Sequence, residues 1–410
     1  MTISKRLLGL GASAAMIFAA CGPGTASTAP TTAPATTPPA NSSTPATAAP
    51  TTAAAKIVAC VAFDTGGLGD KGFNDLAKKG LEDAGTAGYE THFSEAQGST
   101  DYANNIQTLI DQGCQAIVTV GFLQSQATAD AAKANPTIAF AQVDTAWNKC
   151  GPDFTCGNAD DTPQPANFTG LDYQVDQSSM LAGYLAASFT KTGKIGTYAG
   201  QAFPGTTRFM DGLYAGIQYF NQQKKPATPV TLVGWNASQA DPTKTATLVG
   251  GSGAADTWNN PAKGKQFAQT FLDNGVDIVH PVAGGTGNGT IETMHNAGKY
   301  AIGVDTDQYV SIGPPTNGAI LTSSQKAIDV SVLDFFNSSS QGTLGGKDYV
   351  GTLANDGVLL SPFHEYDSQI SQATKDEIAA LKDALVSGSV KVCTFIGTPD
   401  AAAARGIPGC

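Results

Sequence analysis

The sequence is short of charge, and of basic charge above all. Only 14% of its 410 residues are charged, and 23 Lys and Arg stand against 34 Asp and Glu. Gripping a row of phosphates needs a basic face, so no nucleic-acid partner is expected. The acidity itself reads as a solvated surface. Long apolar runs are scarce too. The clearest, "LLGLGASAAMIFAA" near the N-terminus, is too short for a stable transmembrane anchor. Histidine is rare: His92, His280, His295 and His364 lie scattered. Glu292 and His295 fall at i, i+3 on one helix face, but no second such pair completes a metal site. The cysteines form no C-x-x-C pair and no Cys/His spacing of a zinc site. No G-x-S-x-G occurs, and "AGGTGNGT" lacks the Lys-Ser/Thr of a P-loop. The expectation is a chain with no metal, no cofactor and no catalytic residue, hence not an enzyme.

What is present begins with a leader. Lys5 and Arg6 precede the apolar stretch, giving a signal segment over residues 1–20. Its end, "FAAC", resembles a bacterial lipobox, in which Cys21 becomes lipid-modified and N-terminal. The alternative is an ordinary signal peptide cut near Ala20, leaving Cys21 free. An acyl chain would hold the protein outside the membrane without a spanning helix. Residues 21–55 follow as a tether, and from 22 on it is almost wholly Ala, Pro, Thr and Ser. Such a composition builds no core and spans about 30 Å as a flexible coil. The expected location is extracytoplasmic, on a lipid anchor. Six further cysteines suit disulfides in an exported protein. The candidate pairs are Cys60 with Cys114, Cys150 with Cys156, and Cys393 with Cys410. Six cysteines allow 15 connectivities, so the pairing stays open.

From Lys56 the texture changes to short Val/Ile-rich strands alternating with helical patterns. "KIVACVAF", "QAIVTVG", "TIAFAQVD", "NFTGLDY", "KIGTYAG", "VTLVGW", "VDIVHPVA", "YAIGVD" and "AILTS" read as strands. Phe73, Leu76, Ala77, Gly80, Leu81 and Ala84 make one apolar helical stripe, with Asp70 as its N-cap. Strand–helix alternation predicts parallel sheets. The pattern occurs twice, so two α/β lobes are expected. Ligands of open parallel sheets sit beyond the C-terminal strand ends. Those ends carry Asp64, Gly66, Gly67, Gly69, Asp70, Phe73 and Asn74, then Gly121 and Phe122, then Asp144. In the second half they carry Phe203, Trp258, the glycines of "AGGTGNG", Asp305 and Asp307. Aromatic faces, carboxylates and close-approach glycines suit a neutral, flat ligand bearing hydroxyls.

"FDTGGLGDKGFND", "GYLAASFTKTGKIGTYAG", "VDIVHPVAGGTGNGTIE", "YAIGVDTDQ" and "LTSSQKAIDV" together resemble the basic membrane protein family. These are substrate-binding lipoproteins of ABC transporters, similar to purine-nucleoside-binding lipoproteins of bacteria. The resemblance covers most of residues 56–345. It implies a type I periplasmic-binding fold, two doubly wound lobes with a three-stranded hinge and an interlobe cleft. It implies a monomer that hands a nucleoside to a permease driven by an ATPase. By position, Phe73 is similar to the aromatic that stacks on the base, with Asp64 and Asn74 as polar neighbours. Asp144 resembles a base-edge or ribose acceptor, Asp305 the carboxylate on the ribose hydroxyls, and Lys326 the cleft lysine. Gly284 and Gly285 would bring backbone close to the ligand, and Phe122, Phe203 and Trp258 complete the expected set.

The expected N-terminal lobe is 56–172 with 308–345, and the C-terminal lobe 173–307 with 346–410. The crossings are expected near 171–177, 305–310 and 345–350. Departures from the family exist. Gly69-Asp70 replaces paired acids, Gly72 replaces a serine, and 145–168 is long and cysteine-rich. These leave room for another solute. A surface sensor of a sugar or nucleoside-like signal and a nucleoside-cleaving enzyme are the competing functions. Each site residue also has a plainer reading: Phe73 in the core, Asp64 and Asp305 in turns, Lys326 solvated, Phe203 and Trp258 packing loops.

Overall fold

This computed structural model describes residues 56–147, 163–239, 242–250 and 256–392. The expected strands all form, in two sheets. In chain order the first half holds β1 (Val58–Phe63), α1 (Phe73–Thr86), β2 (Glu90–Glu95), α2 (Tyr102–Asp111), β3 (Ala116–Val120), α3 (Ser125–Ala134), β4 (Ala139–Val143) and β5 (Phe168–Tyr173). Then come α4 (Val175–Phe189), β6 (Lys194–Ala199), α5 (Pro204–Lys224), β7 (Thr231–Val233), α6 (Pro261–Asp273), β8 (Ile278–Val282), α7 (Gly285–Asn296), β9 (Tyr300–Asp305), α8 (Gln308–Ile312) and β10 (Ile320–Lys326). The chain ends with α9 (Ile328–Ser340), β11 (Tyr349–Gly351), β12 (Val358–Leu360) and α10 (Gln372–Val386).

One sheet runs β11-β5-β4-β3-β1-β2 and the other β12-β10-β9-β8-β6-β7. Every pairing is parallel except β10 with β12. The two orders correspond strand for strand, so β4 matches β9 and β5 matches β10. Strands covered by helices on both faces bury every residue, as β3, β4 and β8 do. β2 did not read as a strand in the sequence. It lies at the sheet edge, and its ETHFSE run is partly or wholly exposed.

The lobe boundaries differ from the expected ones. β10 pairs with β9, so residues 308–326 belong to the second lobe, not the first. β11 pairs with β5, so 349–351 belong to the first lobe, not the second. The second crossing therefore falls at Ala327 rather than near 305–310. The first falls at Gln174 and the third just after Gly351. Each lobe thus takes a helix that follows the other lobe's strand. α4 leaves β5 and packs on α5, and α9 leaves β10 and packs on α1. Gln174 and Ala327 share one backbone conformation, φ −80° and ψ 59°. Gly80 makes the α1–α9 approach possible, because a Cβ there would stand 2.8 Å from the Asp329 carbonyl and from Val332 Cβ.

Cys60 and Cys114 form a disulfide that ties β1 to the start of β3. Both sit in a buried cluster with Ile106, Leu109, Ile117 and Phe140. Cys21, Cys150, Cys156, Cys393 and Cys410, with the leader and tether, lie outside the described residues. Asp348 holds both sides of the long 145–168 segment. Its carboxylate accepts from the Trp147 N–H at 2.7 Å and from Gln164 Nε2 at 2.8 Å.

A Cys60→Ala, Cys114→Ala double variant is expected to lose about 2–4 kcal/mol of stability, the usual worth of a bridge over a loop of this size. Its secondary structure should persist. An unchanged denaturation midpoint relative to the oxidised wild type would show that the bridge carries no stability.

Candidate ligand site between the lobes

The strand ends of both lobes meet around a cavity of about 540 Å³, part of it open to solvent. Its lining includes Asp64, Phe73, Asn74, Phe122, Asp144, Phe203, Trp258, Gly284, Asp305 and Lys326. Gly285, also expected there, is not in the lining. It opens α7, and a Cβ on it would stand 3.1 Å from Asn259 Oδ1 and 3.3 Å from the Trp258 carbonyl. The glycines of this segment serve packing, since a Cβ at Gly289 would lie 2.0 Å from the Pro261 carbonyl.

Lys326 sits at the end of β10, almost wholly buried. Its ammonium donates to both oxygens of Asp144, at 2.9 and 2.7 Å. Asp305 Oδ1 lies 3.4 Å away, near enough for ion pairing but without hydrogen-bond geometry. Three rings surround the same ammonium: Phe209 at 4.9 Å, Phe73 at 5.1 Å and Tyr173 at 6.0 Å from their centroids. Burial opposes the cation, yet Asp144 and Asp305 outweigh it and hold Lys326 above its ordinary range. The solvated-lysine reading is excluded.

Asp144 and Asp305 are counterparts. They stand at the ends of matching strands, Asp144 just after β4 and Asp305 as the last residue of β9. Each has a left-handed backbone, φ 63° and 65°. Aspartate tolerates this region better than most residues, and such local strain gathers at functional sites. Burial pushes the Asp144 carboxyl up to about 6 against the pull of Lys326, and raises Asp305 in the same way.

The β1–α1 loop supplies the facing wall. The Asp64 carboxylate accepts from the Gly66 N–H at 2.8 Å and from Asn74 Nδ2 at 3.0 Å. A Cβ on Gly121, at φ 97°, would stand 2.5 Å from Asp64 Oδ2, so glycine is required there. Asp70 is not the N-cap residue of α1; Gly72 is, with no side-chain cap. The Asp70 carboxylate still does the capping. It accepts from the N–H groups of Gly72 and Asn74 at 2.9 Å each, and of Asp75 at 3.3 Å. Burial raises both Asp64 and Asp70 to about 6.

The far end is aromatic. Phe122 from the first lobe stacks on Phe203 from the second, centroids 5.0 Å apart and planes within 16°. Trp258 follows at 5.7 Å from Phe203 and rests on Gly200, where a Cβ would stand 2.3 Å from its ring. Three buried polar atoms of the lining have no hydrogen-bond partner: Asn74 Oδ1, Asp305 Oδ1 and Trp258 Nε1. Sequence reasoning missed Phe209, which lay hidden in an ordinary apolar helix stripe; Asp70 it read both as a strand-end residue and as the cap of α1. Thr206 and Gly205 were missed as well. Their signal was the turn into α5, where a Cβ on Gly205 would stand 2.5 Å from Asp144 Oδ2 across the cleft.

A family model described as "ABC transporter substrate-binding protein PnrA-like" matches residues 57–231 and 251–393. The chain belongs to this family. PnrA-like relatives include the ABC transporter nucleoside-binding protein BmpA of Lactococcus lactis, 28% identical over 82% of this chain and 88% of the relative. The CD4+ T-cell-stimulating antigen of Listeria monocytogenes is 27% identical over 80% of this chain and 86% of that one. A solute-binding protein of an ABC transporter system from Aeropyrum pernix is similar in fold, with a TM-score of 0.68 and 22% identity, covering 85% of this chain and 96% of that one. One from Conexibacter woesei has a TM-score of 0.59 and 18% identity, over 83% and 100% of the two chains. The PnrA-like fold here is the type I periplasmic-binding fold. PnrA-like proteins are extracytoplasmic substrate-binding components of ABC transporters. They bind a small molecule, work with a permease and an ATPase, and are not an enzyme class. No described helix is long and apolar enough to cross a membrane.

Asp64, Asp70, Asp144 and the buried Asp176 all titrate near 6 when folded, against an ordinary 3.8. The folded state therefore holds their protons more tightly than the unfolded chain does. That contribution to stability is complete below about pH 4 and is lost as pH rises through 6. Half-buried Glu377, held low by Lys224, and His280, lowered by burial to about 3, work in the opposite direction, but four carboxyls outnumber them. The ligand-free protein is expected to gain melting temperature as pH falls from about 7 to 5. A flat or falling melting temperature over that range would contradict the raised titration of these carboxyls.

Proposed function

We propose that this protein binds a neutral nucleoside, a purine one by preference, between its lobes and delivers it to an ABC permease. The observation that carries this reading is the two-ended cavity. One end offers flat aromatic faces for a base, Phe122, Phe203 and Trp258, with Phe73 towards the other. The other end offers carboxylates, with Asp305 Oδ1 and Asn74 Oδ1 lacking donors. Ribose hydroxyls and base N–H groups are donors of the required kind, and Trp258 Nε1 asks for one acceptor. An unmet buried polar atom costs about 1–3 kcal/mol, so a ligand that fills these positions gains over one that does not. The nucleoside-binding relative from Lactococcus lactis supports the same choice.

Charge narrows the ligand further. Among the described lining residues, four carboxyls face one lysine. A phosphate placed there meets net negative potential, so nucleosides should bind and their monophosphates should not. In this proposal residues 1–20 are the leader, acylated Cys21 is the anchor, and the tether to residue 55 gives the body reach. The nucleoside leaves unaltered.

Calorimetry with inosine, guanosine and adenosine tests the reading, with mass spectrometry of any solute carried through purification. Heat from none of them would end it, and free base released on incubation would favour cleavage instead. Asp305→Ala should weaken binding at least tenfold with little change in fold, and unchanged affinity would defeat that role. Phe73→Ala should cost about 1–3 kcal/mol of binding if it stacks on the base. A lowered melting temperature at intact affinity would mark Phe73 as core. Hydroxyl donors favour ionised carboxylates, so nucleoside affinity should fall as pH drops through about 6, opposite to the trend in ligand-free stability.

A further inference from the structure

Beside the ligand cavity the lobes also touch through two donors that are absent from the cavity lining. Asn288, in the first turn of α7, donates through Nδ2 to the Asp70 carbonyl at 3.0 Å. Ser311, on α8, donates through Oγ to the Lys71 carbonyl at 2.7 Å. Both donors belong to the second lobe. Both acceptors are consecutive backbone carbonyls of the β1–α1 loop of the first. Lys71 has φ 62°, and that left-handed step lies between the two gripped carbonyls.

The acceptor side is braced. The Asp70 carboxylate collects the N–H groups at the start of α1, and the Asp75 carboxylate accepts from the N–H groups of Gly69 and Lys71 at 2.7 and 3.1 Å. The loop therefore moves with α1, whose first residue is Phe73. The donor side is wired to the other end of the site. Gln308 is buried, its Oε1 accepts from the Val304 N–H at 2.9 Å, and its own N–H donates to Ser323 Oγ at 3.1 Å. Gln308 Nε2 reaches Asn288 Oδ1 at 3.4 Å, which turns the Asn288 amide so that its nitrogen faces Asp70. Val304 directly precedes Asp305. One chain of contacts thus runs from the Asp305 strand end through Gln308 and Asn288 to the loop that carries Phe73.

We propose that Asn288 and Ser311 form a latch that stabilises lobe closure without touching the ligand. They are positioning residues that set how long a bound solute stays. The latch reads backbone carbonyls, so it is indifferent to the Lys71 side chain. Two hydrogen bonds of ordinary net worth change the ratio of closed to open forms by roughly 5- to 50-fold. The proposal extends the nucleoside reading to that site's closure, and its test separates the two.

The experiment uses the full chain with Asn288→Ala and Ser311→Ala combined, and Ser311→Thr and Lys71→Asn as controls. Stopped-flow binding of inosine should show dissociation faster by about 5- to 50-fold in the double variant, with the association rate and melting temperature near those of wild type. Ser311→Thr keeps the hydroxyl and Lys71→Asn keeps the carbonyl, so both should dissociate like wild type. Amide exchange in the ligand-free chain should speed up over residues 69–75 in the double variant. Unchanged dissociation and unchanged exchange would overturn the latch, as would Lys71→Asn behaving like the double variant. If wild type binds no nucleoside, the proposed function fails by itself, and exchange over residues 69–75 still decides the latch.

Discussion

A buried lysine ammonium held between two carboxylates from opposite lobes is the interaction on which the site depends. Burying a charge is costly unless partners compensate it, and removing one partner leaves the other uncompensated. Lys326 meets this with Asp144 from the first lobe and Asp305 from its own. The pairing is therefore also a statement about lobe position. If the lobes move apart, Lys326 parts from Asp144 and both ions need new partners or water. Closure and the electrostatics of the cavity are one constraint.

The backbone makes that constraint possible. Asp144 and Asp305 stand at matching strand ends with matching left-handed conformations, a symmetry of architecture rather than of sequence. Glycine lets the opposing walls approach, as at Gly121 beside Asp64 and Gly205 beside Asp144. The exchange of α4 and α9 between lobes builds the hinge from Gln174 and Ala327. Rotation at a few such residues is the usual means of hinge closure. Near the first crossing, Arg208 of α5 donates to Asp172 Oδ1 at 2.5 Å and to the Tyr173 carbonyl at 3.0 Å, joining the two lobes on the hinge side.

Burial decides chemistry as well as shape. A carboxyl in this cavity titrates near 6 because desolvation outweighs its hydrogen bonds. His280 shows the same effect on a base. It lies in the middle of β8 with neither ring nitrogen partnered, and burial lowers it to about 3. Its position next to Phe209, centroids 5.7 Å apart, puts a neutral ring behind the cavity wall. Nothing in "VDIVHPVA" announced a buried histidine, because a strand pattern does not say which helix covers it.

The sequence by itself determined the two-lobed α/β class, the main strands and most of the side chains that line the interlobe cavity. Strand–helix alternation, the apolar stripe of α1 and the chemistry clustered just past the strand ends are local properties, and local patterns survive folding. Even the Cys60–Cys114 pair was legible, since both cysteines lie near the starts of strands that become neighbours. Only the tertiary structure decided which lobe owns β10 and β11, because a three-residue strand such as β11 has no period to read and is placed by its pairing with β5. The same holds for Phe209 around the lysine and for the grip of Asn288 and Ser311 on the first loop. Each depends on contacts between residues distant in the chain, which composition and spacing do not encode.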